Sequence, residues 1–215
     1  MVNVFAWNCR GAAVPNFLLY FREFNRIHHP NLVFITEPKI SGSEAEGVIH
    51  KMGFDSNRRV EAQGFAGGIW ALWNSNELTL CGEYGTDQLL HLHFRLTSGE
   101  ECVISCIYGL PQLSTRRGLW ETMRRLVSQM DLPWLLIGDF NAMLGPEDKQ
   151  GGRGFNMAPS REFREAVEDC SLLEIDYCGP RFTWHGVQGL KERQDRAVCN
   201  ALWLQRYPDT MTRHL

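Results

Sequence analysis

Pro133-Trp134-Leu135-Leu136-Ile137-Gly138-Asp139-Phe140-Asn141 decides the reading of this chain. Apolar residues fill Trp134 to Ile137 without alternation, which predicts a strand buried on both faces. The run ends in a carboxylate and an amide. Asp139 and Asn141 stand at i and i+2, so strand alternation aims both one way. Two such groups closing a buried strand are expensive unless they bind something.

Working outward, three more apolar strands end in polar groups. Val2 to Trp7 runs into the turn-like Asn8-Cys9-Arg10-Gly11, Leu32 to Thr36 is broken by Glu37-Pro38, and Cys102 to Ile107 is closed by Tyr108. Strand ends are where α/β-type folds gather functional groups. Taken singly, each has a plainer role: Asn8 shapes a turn, Glu37 is solvated before Pro38, and Tyr108 fills core.

Helical spacing marks residues 14–28 (Phe17, Phe21, Phe24, Ile27) and a short helix over 43–52. It also marks 115–130 (Leu119, Met123, Leu126, Met130) and 159–172 (Phe163, Ala166, Val167, Cys170). Between them lie strands at 67–73 and 77–81. A further strand, Leu89 to Leu96, alternates Leu90, Leu92, Phe94 and Leu96 with His91, His93 and Arg95. His91 and His93 are expected to face solvent. Phe182-Thr183-Trp184 and Arg196 to Cys199 read as late short strands. The order is β-α-β-α, a β meander, then α-β-α-β-β. That departs from a doubly wound sheet and predicts an α/β (α+β) fold of mixed sheets packed face to face with helices outside.

The 215 residues suit one large domain. A net charge of −3 excludes bulk electrostatic attraction to nucleic acid, so a phosphate partner must be held by local charge or by metal. Arg supplies 18 of the 22 cationic residues; it is the better bidentate phosphate ligand, although compositional bias explains the count as well. The seven cysteines are odd in number and lack a CxxC, which predicts free thiols in a reducing compartment, nucleus or cytoplasm, and argues against secretion. Cys102 and Cys106 share a strand face but have no nearby His pair, so they are weak zinc candidates. The N-terminus has no basic n-region and no run approaches 18 apolar residues, so neither a signal peptide nor a membrane span is expected.

Asn8, Glu37, Asp139 and Asn141 form an oxygen-rich set without paired His or Cys. Such a set favours a hard cation such as Mg²⁺, which takes few protein oxygens and keeps its waters.

In order and spacing, Trp7-Asn8-Cys9-Arg10-Gly11, Thr36-Glu37-Pro38, Ile107-Tyr108-Gly109 and Gly138-Asp139-Phe140-Asn141 resemble the endonuclease/exonuclease/phosphatase family, as do Phe182-Thr183-Trp184 and Gln194-Asp195-Arg196. With Glu147-Asp148-Lys149-Gln150-Gly151-Gly152, they more closely resemble the apurinic-like endonuclease domain of plant LINE-type (non-LTR) retrotransposons. The resemblance covers essentially the whole chain. It implies a four-layer α/β/β/α sandwich of two mixed β-sheets and Mg²⁺-dependent hydrolysis of a DNA phosphodiester, with Mn²⁺ as the alternative metal, by a monomer. It makes Glu37 the principal metal ligand with Asn8 beside it. It gives Asp139 the attacking water, and Asn141 and Tyr108 the phosphate oxygens. Thr183, Lys149 and Arg10 fall to substrate binding, and Asp195 to orienting a catalytic His.

The family pattern closes in a Ser-Asp-His motif that occurs nowhere here; the sequence stops at His214-Leu215. His214 lacks the preceding Asp, and His185 is the one other histidine near the substrate edge. The expectation is therefore a domain over 1–215 incomplete at its C-terminus, without its last strand and with weak or no activity. Two alternatives stand beside it: a non-catalytic remnant that binds nucleic acid, and a phosphatase or phosphodiesterase for small phosphoesters. Gly145, Gly151, Gly152, Gly154, Gly186 and Gly189 predict mobile loops around 145–156 and 185–194.

Overall fold

A computed structural model describes residues 2–152 and 154–215. Five α-helices and two large mixed sheets are present among them. The chain forms two compact units, Met1–Tyr108 and Gly109–Leu215.

The first unit holds strand β1 (Val4–Asn8), helix α1 (Phe17–His28), β2 (Leu32–Thr36), α2 (Gly42–His50), β3 (Ser56–Val60), β4 (Ile69–Trp73), β5 (Leu78–Thr86), β6 (Leu89–Leu96) and β7 (Glu101–Tyr108). Its four-stranded sheet runs β1-β2-β4-β3. β1 and β2 are parallel, with Asn8 opposite Thr36, and the other pairings are antiparallel. Every residue of β2 and β4 is buried, as a continuous apolar run requires when both faces are covered. One face takes Phe17, Phe21, Ala45 and Ile49 of α1 and α2, packed with Val33, Ile35, Trp70 and Leu72. Ile27 departs from the expected stripe: it is exposed. On the second face Trp73 meets Phe94 of the β5-β6-β7 meander edge to face at 5.2 Å.

β3 is Ser-Asn-Arg-Arg-Val, polar and without apolar alternation, and escapes a reading by periodicity; it is a sheet edge that gains its order from pairing with β4. His91 and His93 do not simply face solvent. Both are half-buried: His91 Nδ1 and Ser105 Oγ share a 2.7 Å hydrogen bond, and His93 Nε2 lies 2.9 Å from Glu101 Oε2.

Burial, aided by the charge of His93, pushes the His91 imidazole down to about 4. The neutral form is thus favoured in the folded state. The associated stability is intact above pH 6.5 and is lost as pH falls toward about 4. A pKa lowered from 6.5 to about 4 corresponds to a ceiling of about 3 kcal/mol. Urea unfolding followed from pH 7 to 4.5 is expected to fall more steeply for the wild type than for His91→Gln; parallel curves would refute this.

The second unit holds helix α3 (Leu113–Val127), β8 (Trp134–Asp139), β9 (Lys149–Gln150), α4 (Met157–Asp169), β10 (Leu173–Glu174), β11 (Tyr177–Cys178), β12 (Trp184–His185), β13 (Lys191–Glu192), β14 (Asp195–Cys199), α5 (Ala201–Arg206) and β15 (Thr212–Arg213). β14 lies antiparallel between β10 and β8. Trp120 of α3, Phe163 of α4 and Phe140 stack on one another, with Trp120 and Phe163 centroids 4.8 Å apart. The glycine-rich segments expected as mobile loops instead contribute a small sheet, β12-β13-β9. A Cβ on Gly151 would lie 2.7 Å from Gly189 O, and φ there is +75°, so close backbone approach demands this glycine.

Candidate functional site

Parallel pairing puts the C-terminal ends of β1 and β2 side by side. Asn8, the last residue of β1, donates from Nδ2 to Glu37 Oε1 at 3.1 Å, just past the end of β2. Glu37 is held in a left-handed conformation, φ +53°, and Lys39 likewise at φ +59°. A non-glycine residue keeps such a backbone only where its surroundings over-determine it. Here Glu37 N donates to Gly68 O and Lys39 N to Gly67 O. Gly68, at φ +91°, has no room for a side chain: its Cβ would come within 2.9 Å of Pro38 Cγ. The kinked Glu37-Pro38-Lys39 segment thus sits on a glycine shelf before β4.

The Glu37 side chain is only 16% exposed, and Lys39 Nζ lies 2.9 Å from its Oε2. Burial pushes the carboxyl up. Hydrogen bonds from Lys39, Asn8 and Tyr108, with the Lys39 charge, more than cancel this and hold it below the usual carboxylate range. Tyr108, the last residue of β7, is buried. Asn8 Oδ1 accepts from Arg10 N at 3.2 Å, while Arg10 itself is exposed. Cys9 beside them is no nucleophile, because burial raises its thiol to about 12.

An ionised, partly buried carboxylate with one oxygen steered by an amide suits a hydrated hard cation, which asks for one or two carboxylates and keeps its waters. Lys39, absent from the reading of the sequence, is the residue that the geometry adds. Its ammonium neutralises the same carboxylate, so a divalent ion at Glu37 has to compete with it. The i, i+2 spacing in Glu37-Pro38-Lys39 was the available signal.

In the second unit Asp139 closes β8 and is 8% exposed. The expectation that strand alternation aims Asp139 and Asn141 together fails, because β8 stops at Asp139 and Asn141 turns to φ +47°. What joins them is a turn: Asp139 Oδ1 accepts from Asn141 N at 2.8 Å. Asn141 Nδ2 donates to Gly109 O at 2.8 Å, and Gly109 N donates to Asp139 O at 2.7 Å. Arg116, also unforeseen, is buried; burial lowers its pKa, and the Asp139 charge opposes that.

Antiparallel register sets Asp195 directly opposite Asp139. Facing residues of such a pair share a face, so two carboxylates stand together there. Thr183 Oγ1 accepts from the backbone N–H of both Gln194 and Asp195 at 3.1 Å, which anchors the start of β14. Lys149 Nζ lies 3.9 Å from Glu192 Oε1.

His214 stacks on Tyr177 at 4.6 Å and its Nδ1 meets Pro180 O, while His185 is exposed. Cys102 and Cys106 are fully buried on the apolar side of β7, opposite Phe94 and Leu90, and burial lifts the Cys102 thiol to about 12. They are core residues, not zinc ligands. Among the described residues no helix is long and apolar enough to cross a membrane.

No protein-family model and no curated protein matches the chain. Solved structures do. The AP endonuclease LMAP of Leishmania major aligns with a TM-score of 0.72 at 17% identity, over 94% of this chain and 79% of that one. The endonuclease domain of TRAS1, a telomere-specific non-LTR retrotransposon, aligns with a TM-score of 0.68 at 15% identity, over 95% and 88%. The 3′ phosphatase NExo from Neisseria, bound to product DNA hairpin, aligns with a TM-score of 0.70 at 14% identity, over 94% and 87%. Together with the order of its elements, this likeness shows that the chain has the mixed α/β fold of the AP endonucleases.

Proposed function

We propose that this chain is a metal-dependent phosphodiester hydrolase acting on DNA, of the retrotransposon-endonuclease type. One observation carries the reading: Glu37 is kept ionised at the carboxyl end of a parallel strand pair by Asn8, Lys39 and Tyr108. The DNA-acting neighbours and the ordered motifs support the substrate class.

Glu37 and Asn8 would hold Mg²⁺, or Mn²⁺ in its place. Bound there, the ion supplies Lewis-acid stabilisation of phosphate charge. Asp139 accepts hydrogen bonds and orients the attacking water. Asn141 has a second Nδ2 proton beyond the one given to Gly109, and that proton serves a phosphate oxygen. Tyr108 donates within the Glu37 set. Thr183 positions Asp195, and Lys149 and Arg10 would each offer positive charge to the substrate backbone. The sequence offers no Ser-Asp-His, and His214 is committed to Tyr177 and Pro180. Absence of a general acid–base or charge-stabilising group costs on the order of 10²–10⁴ in rate, so residues 1–215 tested by themselves would turn over slowly.

Plasmid nicking with and without Mg²⁺, beside Mg²⁺ calorimetry, tests this. Slow Mg²⁺-dependent nicking is expected, lowered about 10²-fold or more in Glu37→Gln, which also loses the Mg²⁺ heat. Mg²⁺ uptake without nicking would favour the non-catalytic remnant. Turnover of a small phosphomonoester without nicking would favour a phosphatase. Nicking unaltered by Glu37→Gln would reject the assignment of the site.

A further inference from the structure

The outer face of the β5-β6-β7 meander carries a second cluster of ligand-type side chains, separate from the Glu37 set. Cys81, His93 and Glu101 come from three different strands. One ligand atom of each, the Cys81 sulfur, a His93 ring nitrogen and a Glu101 carboxylate oxygen, lies within 4.8 Å of the other two.

Sheet register explains the meeting. β6 and β7 pair His93 with Val103 and Arg95 with Glu101, so His93 and Glu101 are diagonal neighbours on one face. On the other side the ladder between β5 and β6 pairs Leu80 with Phe94 and Gly82 with His93. Cys81 is the extra residue of that β-bulge. Cys81 and Gly82 therefore both oppose His93. A bulge re-aims a side chain in this way, and bulges recur beside functional sites. Gly82 adds a second feature. Even a Cβ there would sit only 3.8 Å from His93 Cβ, so a larger residue would cover the imidazole that glycine leaves open.

Arg95 supports the cluster from outside. Glu101 divides its oxygens: Oε2 lies 2.9 Å from His93 Nε2, and Oε1 accepts from Arg95 Nε and Nη2 at 2.9 and 2.7 Å. Arg95 thus fixes the carboxylate while leaving Oε2 directed at the imidazole, as outer partners of metal ligands do. Cys81 is exposed, and His93 and Glu101 are about 30% exposed, so an ion reaches them from solvent.

The geometry points to a zinc site formed by Cys81 Sγ, His93 Nε2 and Glu101 Oε2, with water as fourth ligand. Thiolate sulfur, imidazole nitrogen and carboxylate oxygen are each zinc donors, at Zn–S about 2.3 Å and Zn–N and Zn–O near 2.0–2.2 Å, and three protein ligands with one water complete a four-coordinate centre. Each thiol bound as thiolate releases its proton to solvent on binding. Mg²⁺ does not choose a thiolate, so the cluster stays indifferent to the metal proposed for Glu37.

Co²⁺ is the probe, added to the full chain in excess Mg²⁺. One equivalent is expected to give a sulfur-to-cobalt charge-transfer band with the visible absorption of four-coordinate cobalt, and one equivalent of Zn²⁺ should bleach both. Cys81→Ser is expected to abolish the charge-transfer band. His93→Gln and Glu101→Gln should weaken Co²⁺ binding tenfold or more, and Arg95→Gln about tenfold, at the low end for an outer partner. Glu37→Gln should leave the spectrum unchanged, which separates this site from the proposed hydrolytic one. These variants lie on an outer sheet face, and far-ultraviolet circular dichroism checks that each is folded. No band in the wild type, or a band that survives Cys81→Ser, overturns the proposal.

Discussion

Asp148→Ala is expected to destabilise the protein by about 3–5 kcal/mol, the cost of removing one partner from a buried ion pair. Asp148 is 3% exposed, and three hydrogen-bond donors and a second guanidinium converge on its carboxylate. Leu144 N and Gly145 N donate to Oδ2 at 2.8 and 3.2 Å, Arg196 pairs with the same oxygen, and Arg193 Nε lies 3.2 Å from Oδ1. Both guanidiniums are buried, and Glu174, a third exposed, pairs with each of them. Without Asp148, two positive charges would share one partly solvated carboxylate. At this chain length the loss corresponds to roughly 6–20 °C in Tm. Asp148→Asn keeps the acceptor for the two backbone N–H groups and should cost less than Ala. Replacing Arg196 by Met in the Ala background should recover part of the loss, because the stranded charge goes with it. Urea unfolding of the set decides, and a change below about 1 kcal/mol for Asp148→Ala would refute the hub role.

Gly109→Ala is the second large effect, and it comes from space rather than charge. A Cβ at Gly109 would stand 2.3 Å from Phe140 O, 2.8 Å from Phe140 C and 3.2 Å from Arg116 Cδ. Two of those atoms are backbone, between Asp139 and Asn141, and cannot rotate away. Phe140 is itself fully buried against Trp120 and Phe163. The substitution is expected to cost about 1–3 kcal/mol through overpacking. It also pushes on the turn that positions Asp139 and Asn141, so Mg²⁺-dependent cleavage should fall about 10²-fold, as for a misplacement near 1 Å. Gly118→Ala is the control, since nothing lies within 4 Å of its Cβ. A Gly109→Ala chain as stable and as active as that control would show that the turn yields without consequence.

The hub also changes the meaning of the Glu147 to Gly152 segment. The resemblance gives its Lys149 to substrate binding, yet the neighbouring Asp148 faces inward and holds Arg193 and Arg196. Lys149 pairs with Glu192 across β9 and β13. Thr183 is a parallel case. Its hydroxyl caps two backbone N–H groups at the start of β14, so its first task is to set where Asp195 stands. These are residues whose partners lie far along the chain, and no local pattern announces them.

Residue type and spacing along the chain set the order of elements and the strand ends that bear polar groups. Continuous apolar runs such as Leu32 to Thr36 and Trp134 to Ile137 have one stable fate, burial on both faces, and a polar residue closing such a run lies at the sheet's edge. Helical spacing likewise marked Phe163, Ala166 and Val167 for the core. The remaining features depend on pairing between distant segments. β3 is a strand because β4 offers its backbone. Lys39 is a partner of Glu37 because the chain kinks over Gly67 and Gly68. Asn141 joins Asp139 through a turn and not through alternation. Cys81 reaches His93 and Glu101 because one extra residue enters β5. In each case the deciding energy is a backbone hydrogen bond or a close approach made across the fold, and residue type and spacing do not encode it.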